Sequence, residues 1–299
     1  MWTKDNMTDQ TGKTAIVTGG NTGIGYETVK ALYEQGAHVV LACRDLEKGR
    51  VAANKIEQAG GTGKIEVALL DLASLASVKA FADDFIQKHA ELHLLINNAG
   101  IMIPPAGFTA EGYESQFGVN YLAHFALTGY LYPLIKKTKD ARIVTVTSMG
   151  YRHGSIEFDN LKSEKSYDAF REYCQSKLAN LLFTLELQRR IVAKEDAVLS
   201  VAAHPGITKT DLSRHMSEEV FNDAVERWGP LMETEQGALP SLYAAVAEDV
   251  KGGEFYGPDG EDWLRGYPTV TPILENALDE AVAKKLWEMA EAATGVVFP

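Results

Sequence analysis

Between residues 13 and 205, short β-branched apolar runs alternate with stretches in which apolar residues recur every three to four positions. The first pattern marks strands buried on both faces, the second helices that lay one apolar stripe on a core. Strands are expected at Thr14–Thr18, Ala37–Ala42, Ile65–Leu70, Leu92–Asn97, Ala141–Thr147 and Ala197–Ala203. Helices are expected between them, from a glycine-rich turn to about Gln35 and at Leu46–Ala59, Leu75–Lys88, Gly112–Lys136 and Tyr167–Ala193. Residues 206–234 are less regular, and a helix, a short strand at Glu254–Tyr256, a Gly/Pro-rich turn and a helix near Leu274–Ala293 follow. This alternation predicts an α/β fold, one doubly wound domain with a parallel sheet of about seven strands and helices on both faces. No repeat or linker-like tract divides residues 1–299. We read residues 13–205 as a core, about 206–235 as a cap and 1–12 as a polar tail.

Composition narrows the function classes. The 299 residues are 45% hydrophobic, enough for one large core, and carry a formal net charge of −12, which argues against a nucleic-acid partner. Cys43 and Cys174 have no partners at metal-ligand spacing and make no disulfide framework, so no metal is expected and a reducing setting is. The run MWTKDNMTDQTGK is polar, and nowhere do about 18 apolar residues follow one another. The expectation is a soluble cytoplasmic protein with no membrane partner.

Thr18-Gly-Gly-Asn-Thr-Gly-Ile-Gly25 lies between the first strand and the first helix. In that context Gly19 permits a sharp turn, Gly23 lets backbone approach a pyrophosphate, and Gly25 lets helix and strand pack closely, with Asn21, Thr22 and Ile24 lining the turn. The helix N-terminus then offers N–H groups and a positive dipole end to phosphates. A merely structural turn is the competing reading. At the end of the second strand, where the adenosine ribose should lie, Arg44 and Asp45 stand side by side. An acid suits a free 2′-hydroxyl, whereas a guanidinium suits a 2′-phosphate. Asp45 has a second job as a helix N-cap and Arg44 has none, which favours NADP(H); the lack of a basic residue inside the glycine turn keeps NAD(H) open.

Tyr173-Cys-Gln-Ser-Lys177 opens the second long helix, and positions i and i+4 share a face. An ammonium near a phenol stabilises the phenolate, so Lys177 is expected to pull the Tyr173 pKa down from about 10. Alone, such a pair is an ordinary amphipathic turn. Ser148, just past the fifth strand, puts a hydroxyl at the carboxyl edge of the sheet, where open α/β sheets bind ligands and where it can steady a substrate oxygen.

The glycine spacing, Asn97-Asn98-Ala99-Gly100, Asn120, Ser148, Tyr173 and Lys177 occur in an order that resembles the short-chain dehydrogenase/reductase family, built on a Rossmann-type fold. Ala42-Cys-Arg-Asp45 and the extended stretch between Ser148 and Tyr173 resemble its retinol-dehydrogenase-like branch, which generally favours NADP. The resemblance covers Lys13 to about Leu212. It implies an adenine contact at Asp71-Leu72 and a ribose lining at Asn98, Ala99 and Gly100, with Asn97 half structural. It also implies that Asn120 holds a proton-relay water, that Pro205, Gly206 and Thr208 meet the cofactor, and that Lys177 holds the nicotinamide ribose. It further implies a homodimer or homotetramer paired through Gly112–Lys136 and Tyr167–Ala193. His153 reads as a solvated loop residue. The expected reaction is hydride transfer between a small-molecule carbonyl and alcohol, with Tyr173 moving the proton. A carbon–carbon double-bond reductase and a non-catalytic NADP(H) sensor are the alternatives. Met102, Ile103, Phe221, Trp228, Leu231 and Met232 suit either an apolar pocket or ordinary core.

Overall fold

The computed structural model describes residues 1–210, 212, 219, 226 and 229–299. Eight strands form one sheet in the order β3-β2-β1-β4-β5-β6-β7-β8: β1 Thr14–Thr18, β2 His38–Cys43, β3 Lys64–Leu69, β4 Leu94–Asn97, β5 Arg142–Val146, β6 Leu199–Ala203, β7 Phe255–Pro258 and β8 Pro268–Val270. All neighbours are parallel except β7 and β8. The expected architecture is present with one strand more. The three residues of β8 lie in the Gly/Pro-rich turn and are too short for a periodicity to show. Strand order reverses between β1 and β4, and in open α/β sheets the crevice at that reversal, outside the carboxyl ends, takes the ligand.

Helices α1 Gly23–Glu34, α2 Leu46–Ala59 and α3 Leu75–Lys88 follow the first three strands. One apolar cluster lies on each face of the sheet. Val17, Leu41, Ile96 and Val201 anchor one, and Ile16, Val40, Leu95 and Ile143 the other, the alternation that a pleated strand imposes.

The helix expected over Gly112–Lys136 runs from Ser115 to Ile135 and is not α-helical throughout. It comprises α4 Ser115–Phe117, a π-helical turn Gly118–Leu122 and α5 Ala123–Ile135. Glu114 starts it by accepting from the N–H groups of Gln116 and Phe117, and burial pushes its carboxyl up to about 7. The second long helix, α6 Ala169–Ala193, is capped by Asp168, which accepts from Arg171 N–H. α7 spans Thr234–Val246. The C-terminal helix is two pieces, α8 Glu275–Leu278 and α9 Glu280–Thr294. Asp279 between them adopts an extended conformation and caps α9 on the N–H groups of Ala281 and Val282.

Two regions pack more closely than their sequences announced. Within the polar tail, Trp2 meets Tyr243 edge-on and Lys4 pairs with Glu235 at 2.8 Å, both partners on α7. At the other end, Trp287 of α9 and Phe298 pack on Phe125 of α5, and Trp287 stacks on Phe183 of α6. The outer faces of the two helices expected to pair between copies therefore carry the chain's own C-terminal segment.

Candidate active site

The glycine turn lies at the sheet reversal. Gly19 has a φ of 67°, a left-handed conformation that glycine adopts without a steric cost, and its N–H reaches the Ala42 carbonyl at 2.8 Å. Gly23 begins α1, with Asn21 and Thr22 leading into it. A Cβ at Gly25 would run into the Gly19 carbonyl oxygen and the Asn98 amide, so any larger residue pushes the helix away from the turn. The Thr22 side chain makes no capping hydrogen bond to the first turn of α1, whose leading N–H groups have no intrahelical acceptor. Leading backbone donors at a helix N-terminus fit a pyrophosphate.

The floor of this cradle is a set of bonds across the reversal. Asn98 donates from its backbone to Thr18 Oγ1 at 2.9 Å and from Nδ2 to the Thr18 carbonyl at 2.7 Å. Ala99 N–H also donates to Thr18 Oγ1, at 2.9 Å. Asn97, expected to tie strands together, instead donates to Thr128 on α5 at 3.1 Å; Asn98 is the residue that ties β4 to β1. At the end of β2, Asp45 accepts from Lys48 N–H as the cap of α2 and pairs with the Lys48 ammonium at 3.7 Å. Arg44 beside it is exposed and makes no ion pair among the described residues. The Asp71 carboxylate closes a local turn on Ala73 N–H at 3.0 Å, and the Leu72 side chain is buried in the core, so only its backbone can face a ligand. Past β6, Pro205 and Gly206 are partly exposed, and the Thr208 hydroxyl donates to the Pro205 carbonyl at 2.9 Å. These groups fit a nicotinamide dinucleotide.

Ser148, Tyr173 and Lys177 come together at the carboxyl ends of β5 and β4. Gly150 sits against both the Tyr173 ring and the Ser148 hydroxyl: a Cβ there would be 3.3 Å from Tyr173 Cε1 and 3.6 Å from Ser148 Oγ, so the phenol ring lies over the turn that follows β5. Lys177, one helical turn on, donates from Nζ to the Val146 carbonyl at 3.3 Å, and Asn180 shares that oxygen at 3.1 Å. The Thr147 hydroxyl donates to the Lys177 carbonyl and fixes the helix against β5. Gly100 approaches both Asn120 and Lys177: a Cβ there would be 3.3 Å from Asn120 Oδ1 and 3.4 Å from Lys177 Nζ. Asn120 is fully buried. Its Oδ1 accepts from Ile101 N–H at 2.8 Å, and its Nδ2 donates to the Ile101 carbonyl at 3.0 Å and to Ser176 Oγ at 2.9 Å.

The electrostatics correct one expectation. Lys177 Nζ stands 5.8 Å from the centre of the Tyr173 ring, and burial pushes the phenol up to about 12, with the nearby Ser148 hydroxyl only partly opposing it. Burial likewise pushes the lysine down to about 8. Desolvation disfavours each charged form more than either group favours the other's. The phenol is thus held as a proton donor, and the lysine as a cation that titrates near neutrality.

The remaining expected residues separate. His153 is exposed, its ring 6.2 Å from Phe170. Met102, Ile103 and Leu231 are partly buried and Met232 is buried, whereas Phe221 and Trp228 lie outside the described residues. Ile103 has a φ of 52°, strained for a β-branched residue, in the loop beside Asn120. Cys43 and Cys174 are buried free thiols, and no cluster among the described residues could hold a metal ion. No described helix is long and apolar enough to cross a membrane.

The family model for short chain dehydrogenase matches residues 13–220, a stretch that contains every group just described from Thr18 to Thr208. The chain belongs to the short-chain dehydrogenase/reductase family. It is 41% identical to retinol dehydrogenase 11 of Mus musculus over 93% of its length and 85% of that protein's. It is 40% identical to retinol dehydrogenase 14 of the same species, over 96% and 87%. These likenesses place this short-chain dehydrogenase/reductase in the retinol-dehydrogenase-like branch. A crystal structure of an uncharacterised protein from Mycobacterium paratuberculosis superposes with a TM-score of 0.84 at 37% identity, over 100% of this chain and 99% of the other. A Pseudomonas aeruginosa RhlG/NADP active-site complex shares the fold, with a TM-score of 0.65 at 24% identity over 82% and 94%. The enzyme is an oxidoreductase of this family that uses a nicotinamide cofactor.

Proposed function

We propose that this oxidoreductase transfers hydride between NADP(H) and the carbonyl/alcohol pair of an apolar small molecule. The observation that carries the reading is the Tyr173 ring and the Ser148 hydroxyl brought together around Gly150 at the carboxyl edge of the sheet, with Lys177 on the same helical face. The bound nicotinamide would supply or accept the hydride. The Ser148 hydroxyl and the Tyr173 phenol would grip the substrate oxygen together, and the phenol would give it a proton as negative charge develops there. Lys177 keeps a positive charge beside the phenolate that results. Alcohol oxidation would run these steps in reverse. The relatives named retinol dehydrogenase support a substrate that is an apolar alcohol or aldehyde, so retinal belongs in the test panel.

Arg44 supports the choice of NADP(H). Asp45 beside it is engaged at the start of α2, which leaves the guanidinium to pair with a 2′-phosphate.

NADPH absorbance decay against a panel of aldehydes, ketones and enones tests the reading. Decay with carbonyls supports it. Decay with enones alone would establish double-bond reduction, and cofactor binding without decay would establish a sensor. Tyr173→Phe should cut turnover at least about 100-fold while leaving the cofactor Kd within about threefold, because the ring stays and only the proton donor goes. A Tyr173→Phe enzyme with full activity would remove Tyr173 from the mechanism.

A further inference from the structure

His124, on the first turn of α5, is 1% exposed. Its two ring nitrogens lie between the cofactor cradle and Asn120. Nε2 is 2.9 Å from Thr18 Oγ1, and Nδ1 is 3.0 Å from the Asn120 carbonyl oxygen. The roles follow from counting. The Thr18 hydroxyl has one proton and two lone pairs. The N–H groups of Asn98 and Ala99 take the lone pairs. The proton then goes to Nε2 at 2.9 Å, not to the Ile96 carbonyl at 3.5 Å. Nε2 therefore accepts, the ring proton sits on Nδ1, and Nδ1 donates to Asn120. Burial and the nearby Lys177 ammonium push the imidazole down to about 4, so the ring is neutral at ordinary pH.

These bonds close a ring. Ala99 bonds to Thr18, Thr18 to His124, His124 to the Asn120 backbone, and the Asn120 side chain to both the N–H and the carbonyl of Ile101. The segment so gripped from either side is Ala99-Gly100-Ile101, and Gly100 is the residue that approaches Lys177 Nζ. The π-helical turn at Gly118–Leu122 sets the geometry. It delivers both the Asn120 carbonyl and the Asn120 side chain to this ring, and local widening of a helix is a recurrent feature of functional sites.

We propose that His124 is a positioning residue whose neutral imidazole bridges Thr18 to Asn120, and so fixes residues 98–101 and the Asn120 amide against Lys177. Through Thr18 it sets cofactor affinity, and through Asn120 it sets the rate of the proton step. The second effect rests on the reductase reading above; the first does not.

Three variants separate the two ends of the bridge. His124→Asn keeps a donor close to the position of Nδ1, His124→Gln keeps an acceptor close to that of Nε2, and His124→Phe keeps the ring volume with neither. NADPH Kd by fluorescence titration, kcat with the best carbonyl from the panel, and Tm are measured for each. His124→Phe should raise Kd and lower kcat by about tenfold each, the worth of one buried hydrogen bond at either end. His124→Gln should lose kcat more than affinity, and His124→Asn affinity more than kcat. A His124→Phe enzyme with unchanged Kd and kcat overturns the proposal. So do equal losses in all three that merely follow Tm. Should the unmodified enzyme reduce nothing in the panel, the kcat arm fails with the functional reading, and the order of the Kd values still decides the bridge.

Discussion

At neutral pH the Tyr173 phenol, held near 12 by burial, carries its proton, and the Lys177 amine, held near 8, is mostly charged. Carbonyl reduction needs both states, so kcat/KM for reduction should fall above about pH 8 as Lys177 loses its charge; a profile flat to pH 10 would show that the charge is dispensable. The same burial costs stability. The folded-state pKa of Lys177 lies below its ordinary 10.5, so the folded protein binds fewer protons than the unfolded chain between about pH 8 and 10.5. The penalty, on the order of 3 kcal/mol, is fully present below pH 8 and fades as pH rises towards 10.5. Lys177→Met should therefore abolish turnover yet raise Tm at pH 7, with the difference narrowing by pH 10. Denaturation at the two pH values checks this, and a variant less stable at both would show that the ammonium's bond to Val146 outweighs its desolvation.

Adjacent residues at one element boundary do separable work. Asp45 holds the first turn of α2 and Arg44 holds nothing in the described chain, although both stand at the same strand end. Asp45→Ala should cost about 1 kcal/mol of stability through the lost cap and leave NADPH affinity nearly unchanged. Arg44→Ala should leave stability unchanged and raise the NADPH Kd about 10- to 100-fold through one lost charge-assisted pair, with little effect on NADH. The opposite pattern would assign the ribose contact to Asp45. Strands and most helices were legible because buried apolar runs and amphipathic periods are local properties. The π-helical turn was not, because Gly118-Val-Asn-Tyr-Leu122 carries no pattern that separates it from an α-helix. Its wider winding is held by partners distant in sequence, Ile101 and Ser176 on the Asn120 side chain and, through His124, Thr18.

Across the whole molecule, the C-terminal segment completes the core that the sheet and its helices leave open. A Cβ at Gly129 of α5 would clash with Val296 and Phe298, and Trp287 is buried at 1% exposure between α5 and α6. Trp287→Ala should cost about 3–5 kcal/mol, read by denaturant titration. The segment also bears on the expected pairing of copies. Association through α5 and α6 would first have to displace Trp287 and Phe298, so light scattering is expected to give the mass of one chain, 32.7 kDa. A stable dimer that survives in Trp287→Ala would show that pairing uses another surface.

The sequence by itself determined the layered α/β architecture, the glycine turn, and the Tyr173 and Lys177 pair. Each is written in short-range spacing, by strand and helix periods, by glycines at a strand–helix junction and by a single helical turn. Tertiary structure alone decided how those groups titrate, which asparagine joins the strands, and that His124 links Thr18 to Asn120. Desolvation and hydrogen-bond partnership depend on atoms that residues far apart in the chain bring within about 3 Å, and no local pattern encodes that proximity.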